Sequence, residues 1–480
     1  NFYLFHLTHD FLEFRFPELE MICENIKKPN CISDHNYSKD SPLFTCILPN
    51  EQTAFEIGNR CFLLKSISKL MSEGDTLENM LENFQNNDID METEKGETFK
   101  VEVYSYAKIY SQEEKLQKIE KIVEGLKLDE KGLKVCLNDK MVKHKFFYAE
   151  EWIQPETSEN DEPELSKNKK LRKCYLAKFV CFGQSYVAHK YNLKDRGFIG
   201  NTSMDPLLAL IMANMANVNP ATIVFDPFVG TGSLLVGAAH CGAHVFGADL
   251  DYNLVYSRGL SSRMGQKYRK KDENILNNLK QYGLESKYID ILAADFSTEY
   301  IKKNFKFDAI ITDPPYGIRE KAKKIGNKNS KINHDKSPEE DKSKAVHFVQ
   351  HIKYNLGDIY LDLLDFASFH LESEGRLVYW LPIYLNTDRK NKSFEEMREI
   401  LKQFIPCHKG LNLKCFSEQR LTQFTSRLLV TMIKIPQIDV LGNSFEKLKT
   451  NHENINSNRM ANKNSELLNQ FRDRYFSPRK

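Results

Sequence analysis

Two short segments, far apart in the chain, restrict most strongly what this sequence can fold into. Residues 226–232 read DPFVGTG, and residues 313–316 read DPPY. Each segment directly follows an apolar run, residues 222–225 and 307–312, that is typical of a buried parallel strand. Ligands bind where the strands of an open α/β sheet end at their carboxyl edge, so both segments are expected to face one crevice. The sequence therefore predicts an α/β sheet with a two-part site.

The wider pattern between residues 191 and 440 supports this sheet. Strands are predicted at residues 222–225, 244–248, 289–293, 307–312, 376–381 and 427–435. Helices are predicted between them at residues 234–241, 253–266, 356–371 and 394–404. Regular alternation of strands and helices favours a doubly wound parallel sheet. No clear helix precedes the last strand, which indicates a hairpin that closes the sheet.

Residues 1–190 follow a different pattern and are interpreted as a separate region. Strands are predicted at residues 1–7, 41–48, 98–106, 146–148 and 173–187, and helices at residues 11–26 and 113–126. Strands and helices in this mixed order favour an α+β fold over a continuation of the doubly wound sheet.

Three polar segments punctuate the chain: residues 156–170, the lysine-rich insertion 321–344, and the tail 441–480. Their composition favours mobile loops or tail, because they offer few residues that can form a core. For the lysine-rich insertion, transient contact with RNA phosphates is an alternative to a simply solvated loop.

Composition indicates the cellular compartment more clearly than it indicates the activity. The net charge is only +2, which neither requires nor excludes a nucleic-acid partner. The ten cysteines contain no C-x-x-C pair, so zinc ribbons and thioredoxin motifs are excluded, and free thiols indicate a reducing compartment, here the cytoplasm. No apolar stretch approaches the roughly 20 residues that span a bilayer.

The first half of the site is suited to a small ligand with a ribose. Gly230 and Gly232 allow the backbone of the loop after Asp226 to approach a ligand closely. Asp249 ends the next strand and can accept hydrogen bonds from a ribose diol. The loop is neither G-x-G-x-x-G nor a P-loop, so it lacks the features that hold a polyphosphate.

A third strand ends in an acid as well. Asp295 is placed to bind an adenine amino group, and Phe296 to flank the ring. If Gly230 and Gly232 are considered alone, a tight turn that binds no ligand is an alternative explanation of the glycine loop. Three acids at the ends of successive strands favour a binding site instead.

The second half of the site resembles that of S-adenosylmethionine-dependent methyltransferases that modify exocyclic amino groups of nucleic-acid bases. Such an amine is a poor nucleophile because its lone pair is delocalised into the ring. The Asp313 carboxylate and the Pro314 carbonyl can accept its two N–H groups and turn the lone pair toward a methyl donor, and Asp313 can receive the released proton. Tyr316 can stack on an unstacked base. A rigid surface turn is the alternative reading of DPPY.

Several segments together resemble the tRNA guanine-10 N2-methyltransferase catalytic-subunit family. These segments are FIGNTSMD at 198–205, VFDPFVGTG at 224–232, ITDPPYGIRE at 311–320, GRLVYWLP at 375–382, and the stretches 11–19, 274–283 and 425–427. The resemblance implies a class I, Rossmann-like methyltransferase domain after an N-terminal ferredoxin-like and THUMP region that docks tRNA.

The same resemblance implies the cofactor and the partners. S-adenosylmethionine would lie with its methionine end against Thr202 and Ser203, and the product would be N2-methylguanosine in tRNA. The family works as a heterodimer with a small zinc-binding activator subunit, so no metal site is expected in this chain. Near the expected domain junction, Lys190, Arg196 and Arg319 are candidates for RNA phosphate contact, with plain surface exposure as the alternative.

Two other functions remain open from the residues alone. DPPY serves adenine N6 or cytosine N4 as well as guanine N2, so a DNA or other RNA amino-methyltransferase is an alternative. A non-catalytic RNA-binding scaffold is the second, although the intact acids Asp226, Asp249, Asp295 and Asp313 disfavour it.

Overall fold

The computed structural model describes two compact units, Asn1–Val187 and Ala188–Lys480. The residues that it describes are 1–29, 31–32, 37–87, 89, 91–153, 169–318, 322–326, 351–385, 389, 392–436, and the single positions 468, 471 and 475. Several of the sequence predictions fall outside the described residues: residues 154–168, Arg319, residue 321 and residues 327–344 of the lysine-rich insertion, and all of the tail 441–480 except 468, 471 and 475.

The first unit is built on one seven-stranded sheet in the order β2-β1-β3-β7-β6-β4-β5. Its strands are β1 (Phe2–Leu7), β2 (Leu43–Ile47), β3 (Leu64–Gly74), β4 (Thr98–Tyr106), β5 (Lys134–Val135), β6 (His144–Ile153) and β7 (Lys170–Phe182). Its helices are α1 (Arg15–Asn25), α2 (Glu51–Gly58), α3 (Leu77–Asn86) and α4 (Gln112–Gly125). The expected α+β class is confirmed, although β3, α2 and α3 were not predicted.

Within its described residues, this sheet carries three apolar core clusters. One includes Phe5 and Ile57, and another includes Phe99 and Phe146. The third, which includes Leu4 and Phe147, joins strands from both ends of the sheet. Side-chain caps fix where the helices begin: Asn50 accepts the Thr53 N–H at α2, and Ser111 forms a capping box with Glu114 at α4. Two modules therefore share one hydrogen-bonded sheet, a merger that no local sequence signal predicts.

The second unit contains the predicted doubly wound sheet, in the order β10-β9-β8-β11-β14-β16-β15. The strands are β8 (Ile223–Asp226), β9 (His244–Asp249), β10 (Tyr288–Ala293), β11 (Phe307–Thr312), β12 (Lys323–Ile325), β13 (His351–Lys353), β14 (Leu371–Tyr384), β15 (Leu411–Arg420) and β16 (Thr425–Lys434). The helices are α5 (Val187–Lys190, across the unit boundary), α6 (Pro206–Met215), α7 (Ser233–His240), α8 (Tyr252–Val255), α9 (Ile275–Gln281), α10 (Leu356–His370) and α11 (Phe394–Lys402).

Strand directions confirm the expected class I arrangement. The strands from β10 to β14 pair in parallel, and β16 pairs antiparallel with both β14 and β15. β8 and β11 are neighbours, with Phe225 opposite Ile310. Both residues are fully buried. The two signature segments therefore leave the sheet side by side at one edge, as the sequence predicts.

Three local predictions need correction. The helix predicted over residues 253–266 is wrong beyond α8, because Ser257 and Gly259 adopt positive φ angles of 55° and 80° that end it. The lysine-rich insertion is not wholly irregular, since β12 lies within it and pairs with β13. In the tail 441–480, Leu468 and Phe471 belong to the main apolar core of the second unit.

Among the described residues, no helix has both the length and the apolar character needed to cross a membrane.

Candidate active site

The loop after β8 contains two glycines in the left-handed region, for different physical reasons. Gly230 has a φ of 51°, and a Cβ built there would meet only the Phe228 carbonyl oxygen at 4.0 Å. Gly232 has a φ of 77°, and a Cβ there would lie 2.8 Å from Cγ2 of Ile275. Gly232 is therefore required by packing, whereas Gly230 leaves open space at the carboxyl edge of the sheet.

Asp249, at the end of β9, ties this glycine loop to the neighbouring strand. One carboxylate oxygen accepts the Gly230 N–H at 2.9 Å, and the other accepts the Asp251 N–H at 2.9 Å. The side chain is half-buried. A carboxylate has about four acceptor positions, so a carboxylate at this place is suited to accept from the hydroxyls of a ligand.

Asp226, the last residue of β8, lies beneath the loop. It is 1% exposed, and its Oδ1 accepts the Phe228 N–H at 3.0 Å and the Thr312 hydroxyl at 2.7 Å. Burial, together with the nearby Asp249 and Asp313 charges, raises the pKa of Asp226 to about 7. Its side chain contacts the two strand ends of the site and holds them together.

Asp295 and Phe296, after β10, are more enclosed than the sequence suggests. Asp295 is 4% exposed; its Oδ1 accepts the N–H and the hydroxyl of Ser297 at 2.8 and 2.7 Å. Its Oδ2 accepts the Ile325 N–H, which anchors β12. The Phe296 ring is buried against Phe228, with centroids 4.9 Å apart. The local chain already uses much of this acid's hydrogen-bonding capacity.

The segment 200–204 packs against the glycine loop. The Ser203 hydroxyl accepts the Gly200 N–H at 2.8 Å and lies 2.7 Å from the Thr231 hydroxyl. Thr202 is exposed beside it. The structure thus brings Thr202 and Ser203 to the loop that contains Gly230, as the sequence predicts for one site.

On the other side of the crevice, Asp313 follows β11 and is surrounded by side chains. The Tyr316 hydroxyl donates to its Oδ1 at 2.5 Å, and Nη1 of Arg427 lies 3.6 Å from its Oδ2. Tyr316 is half-buried, and burial followed by the Asp313 charge raises the pKa of its phenol. The phenol therefore stays protonated and able to donate. Pro314, between them, is buried.

Arg427 was not singled out as a site residue from the sequence. It lies on β16, opposite Pro382 of β14 and Gln419 of β15. Its Nε donates to the Gln419 side chain at 2.7 Å, and its guanidinium lies 4.0 Å from the centroid of the Trp380 ring. The only sequence signal was its place in the segment 425–427, because the strand pairing that brings it to Asp313 is long-range.

Of the predicted RNA-contact residues, Arg196 is buried and Lys190 is exposed. Arg196 is 1% exposed, and its guanidinium donates to the Ser233 hydroxyl at 2.9 Å and to the Tyr191 carbonyl at 3.0 Å. The prediction that Arg196 contacts phosphate is therefore wrong: the residue anchors the start of α7. Lys190 is exposed and remains a candidate. Within the described part of the chain, no group of three His, Cys, Asp or Glu side chains is arranged to hold a metal.

Comparison with known proteins identifies the domains. Residues 1–180 match the model of the Tmrp11 THUMP N-terminal domain, and residues 194–329 match that of the RMKL-like methyltransferase domain.

Similarity to curated relatives extends over nearly the whole chain. A Bos taurus protein is 36% identical over 482 residues, which cover 99% of this chain and 95% of the relative. A Homo sapiens protein is 37% identical over 444 residues, covering 92% and 89%. A Dictyostelium discoideum protein is 32% identical over 455 residues, covering 90% and 82%. All three are named tRNA (guanine(10)-N(2))-methyltransferase TRMT11. The chain therefore belongs to the TRMT11 family of tRNA (guanine(10)-N2)-methyltransferases.

Proposed function

We propose that this chain transfers the methyl group of S-adenosylmethionine to the exocyclic N2 of guanosine 10 in tRNA. The observation that carries the proposal is the position of Asp313. Its carboxylate lies at the carboxyl end of β11, next to β8 and the glycine loop, and it contacts Tyr316 and Arg427. An acceptor at this place can orient an amine toward a methyl donor held by the neighbouring loop.

The residues on the cofactor side fit S-adenosylmethionine. The open space in front of Gly230 admits a ligand close to the backbone, and Asp249 is suited to accept from the ribose hydroxyls. Thr202 and Ser203 would face the methionine end, and Phe296 would border the adenine with Asp295. When bound, the cofactor supplies an electrophilic methyl group on a sulfonium.

On the base side, the residues of this chain orient the amine and take up its proton. Asp313 and the Pro314 carbonyl accept the two N–H groups, which turns the nitrogen lone pair toward the methyl group. Tyr316 holds Asp313 through its hydroxyl and offers its ring to the base. The new C–N bond would form as the sulfonium–methyl bond breaks and its electron pair returns to sulfur. The methylated amine is then more acidic and would release one proton to Asp313 or to solvent.

A cavity in the first unit supports a tRNA-docking role for that unit. It has a volume of about 490 Å³ and is lined by His6, Lys65, Tyr104, Phe147 and Tyr186, among others. The His6 and Tyr104 rings are 4.2 Å apart, and the Lys65 ammonium lies 5.8 Å from the Tyr104 centroid. Aromatic rings beside a cation suit an unstacked nucleotide, and each stacked base contributes about 1–3 kcal/mol.

The small zinc-binding activator subunit is proposed to add a strand beside β10. This strand is at the edge of the sheet, so one row of its backbone hydrogen-bonding groups faces outward. Around it, Tyr252, Tyr256 and Ile289 are 50%, 53% and 44% exposed. A partner strand would satisfy the edge and cover these apolar side chains. The pair is proposed to work in the cytoplasm, where free thiols persist.

The test of the activity is methyl transfer from labelled S-adenosylmethionine to unmodified tRNA, with and without the activator subunit, followed by nucleoside analysis. We expect N2-methylguanosine from wild-type tRNA and no product from tRNA with adenosine at position 10. Methylated adenine or cytosine from duplex DNA would favour the other amino-methyltransferase instead. Absence of any product while tRNA still binds would favour the non-catalytic scaffold.

The activator surface has its own test. We expect Ile289→Asp combined with Tyr256→Asp to abolish co-purification with the activator subunit, because both charges would have to be buried on binding. Phe394→Asp is the matched control, since Phe394 is 57% exposed on α11. Equal loss of binding in the control variant would contradict the assignment of this surface.

A further inference from the structure

The Asp313 carboxylate can orient any exocyclic amine, and an acceptor that contacts only the amine does not explain how guanine would be chosen. Adenine N6, cytosine N4 and guanine N2 all present two N–H groups to an acceptor. Selection among them must come from groups that read the atoms next to the amine. The described residue that presents a charged donor directly beside Asp313 is Arg427.

We propose that Arg427 determines specificity for guanine by donating a hydrogen bond to its O6 atom. This inference rests on the proposed function, and it deepens that function by assigning the choice of base to a residue outside the DPPY segment. The Pro314 carbonyl and one Asp313 oxygen would accept the two N2–H groups. The second Asp313 oxygen, Oδ2, would accept the N1–H group, and the Arg427 guanidinium beside it would donate to O6. The Watson–Crick edge of guanine presents the complement: the N2–H donor, the N1–H donor and the O6 acceptor.

The other bases do not match this order. Adenine presents its N6–H donor next to the N1 acceptor, and cytosine presents its N4–H donor next to the N3 acceptor. In either case an unprotonated ring nitrogen would face the Asp313 carboxylate, so two acceptors would be left opposed and unsatisfied. Mismatches of this kind are the strongest source of discrimination in a desolvated site.

The contacts of Arg427 fit a reading role better than a purely structural one. Its Nη1 is 3.6 Å from Asp313 Oδ2, which is beyond the usual length of a charged hydrogen bond. The two side chains are 14% and 25% exposed, so they present a donor and an acceptor side by side in a partly desolvated place. Asp313 is meanwhile held through its other oxygen by Tyr316.

Arg427 also interacts with the Tyr316 hydroxyl, and three further contacts fix the plane of its guanidinium. Nε donates to Gln419, Nη2 lies 3.8 Å from the Met204 sulfur, and the group stacks on Trp380. These three contacts come from β15, the segment 200–204 and β14. A donor oriented in this way requires little ordering when a base arrives, which favours a specific contact over a transient one.

The test compares two tRNAs that differ at position 10, one with guanosine and one with 2-aminopurine. 2-Aminopurine keeps the amine at C2 but lacks O6 and the proton on N1. Both are assayed with the heterodimer containing the wild-type chain, Arg427→Met, or Arg420→Met. Arg420 is exposed at the end of β15 and is the matched control.

We expect the wild-type enzyme to prefer guanosine over 2-aminopurine. The ratio of kcat/KM for the guanosine tRNA to kcat/KM for the 2-aminopurine tRNA should fall about 10- to 100-fold in Arg427→Met, because only guanosine loses a contact. Any cost from the missing N1 proton is common to both enzymes and cancels in the ratio. Arg420→Met should keep the wild-type ratio. Cofactor affinity and thermal midpoint, measured on each variant, should be unchanged.

Two outcomes would overturn the proposal. An equal loss on both tRNAs in Arg427→Met would show that the residue only positions Asp313. Unchanged kcat/KM values on both tRNAs, with normal folding of Arg427→Met, would show that Arg427 does not contact the base edge. Failure of the wild-type enzyme to methylate guanosine 10 is a different result, because it would remove the proposed function itself and this inference with it.

Discussion

The two halves of the site use aspartate in contrasting ways. In the cofactor half, each of three strand-end acids accepts a hydrogen bond from the backbone N–H two residues further along. The pairs are Asp226 with Phe228 at 3.0 Å, Asp249 with Asp251 at 2.9 Å, and Asp295 with Ser297 at 2.8 Å. Each acid thereby folds its own loop as an Asx turn.

In the base half, Asp313 cannot do the same. The residue two positions on is Pro315, which has no backbone N–H. Instead, the Asp313 carboxylate contacts two side chains, Tyr316 and Arg427, and such contacts can rearrange when a substrate arrives. The difference suggests how a strand-end acid with a structural role can be separated from one that is available for chemistry.

The largest expected effect is that of Asp313→Ala. Loss of the acceptor that orients the amine should lower kcat about 1,000-fold, within the range usual for removing a positioned catalytic group. Affinity for tRNA should stay within about twofold, since most of the binding energy comes from contacts elsewhere. Single-turnover methylation and filter binding measure the two quantities. Retained activity would contradict the role of Asp313 and erase the contrast between the halves.

The next effect is on cofactor binding. Asp249→Ala removes the acceptor of the Gly230 N–H as well as the proposed ribose contact, so we expect the Kd for S-adenosylmethionine to rise about 10- to 100-fold. Asp295→Asn should change this Kd less, because Asp295 is enclosed and bonded to its own chain. Calorimetry on the two variants compares them directly. A larger effect from Asp295 would show that its acceptor capacity serves the ligand after all.

Pro315→Ala tests the contrast itself. The variant restores a backbone N–H at the position from which the other three acids accept. Asp313 can then accept a hydrogen bond from its own loop. We expect kcat to fall about tenfold, because one hydrogen bond within the loop competes with the substrate for the carboxylate. The affinities for tRNA and cofactor should be retained. Pro314→Ala is the control, because it adds no donor two residues after Asp313. Equal losses in both variants would point to loop stiffness as the cause.

The smallest effect concerns pH and Asp226. Burial raises its pKa from 3.8 to about 7, so in this window the folded protein binds more protons than the unfolded chain, and stability falls as pH rises. Asp226→Asn cannot ionise and can still accept from Thr312. Its stability relative to wild type should therefore improve as pH increases through that window, as followed by urea unfolding. A constant difference across the window would show that Asp226 does not titrate there.

Sequence reasoning located the site better than it assigned its contacts. The ends of β8, β9, β10 and β11 were predicted to within one residue, because short apolar runs followed by an acid or glycine are local signals. Arg196 shows the opposite case. It was taken as a surface cation, yet the structure buries it against Ser233, a contact that joins residues far apart in the chain.

The tail and the end of the catalytic sheet make the same point. Leu468, Phe471 and Tyr475 recur at helical spacing in a polar stretch, but only packing shows that Leu468 and Phe471 belong to a core. The position of Arg427 near Asp313 is decided only when β16 pairs with β14 and β15. No periodic pattern in the sequence indicates that position.

By itself, then, the sequence determined the fold class, the strand that each motif follows, and the absence of a backbone donor behind Asp313. These properties depend on residue type and on neighbours a few positions away, so the linear chain contains them. Only the tertiary structure decided which acids are tied to their own loops, which cation lies beside Asp313, and which glycine faces open space. Those properties depend on contacts across the sheet, where residues more than a hundred positions apart in the chain come close together, as Arg427 and Asp313 do at 3.6 Å.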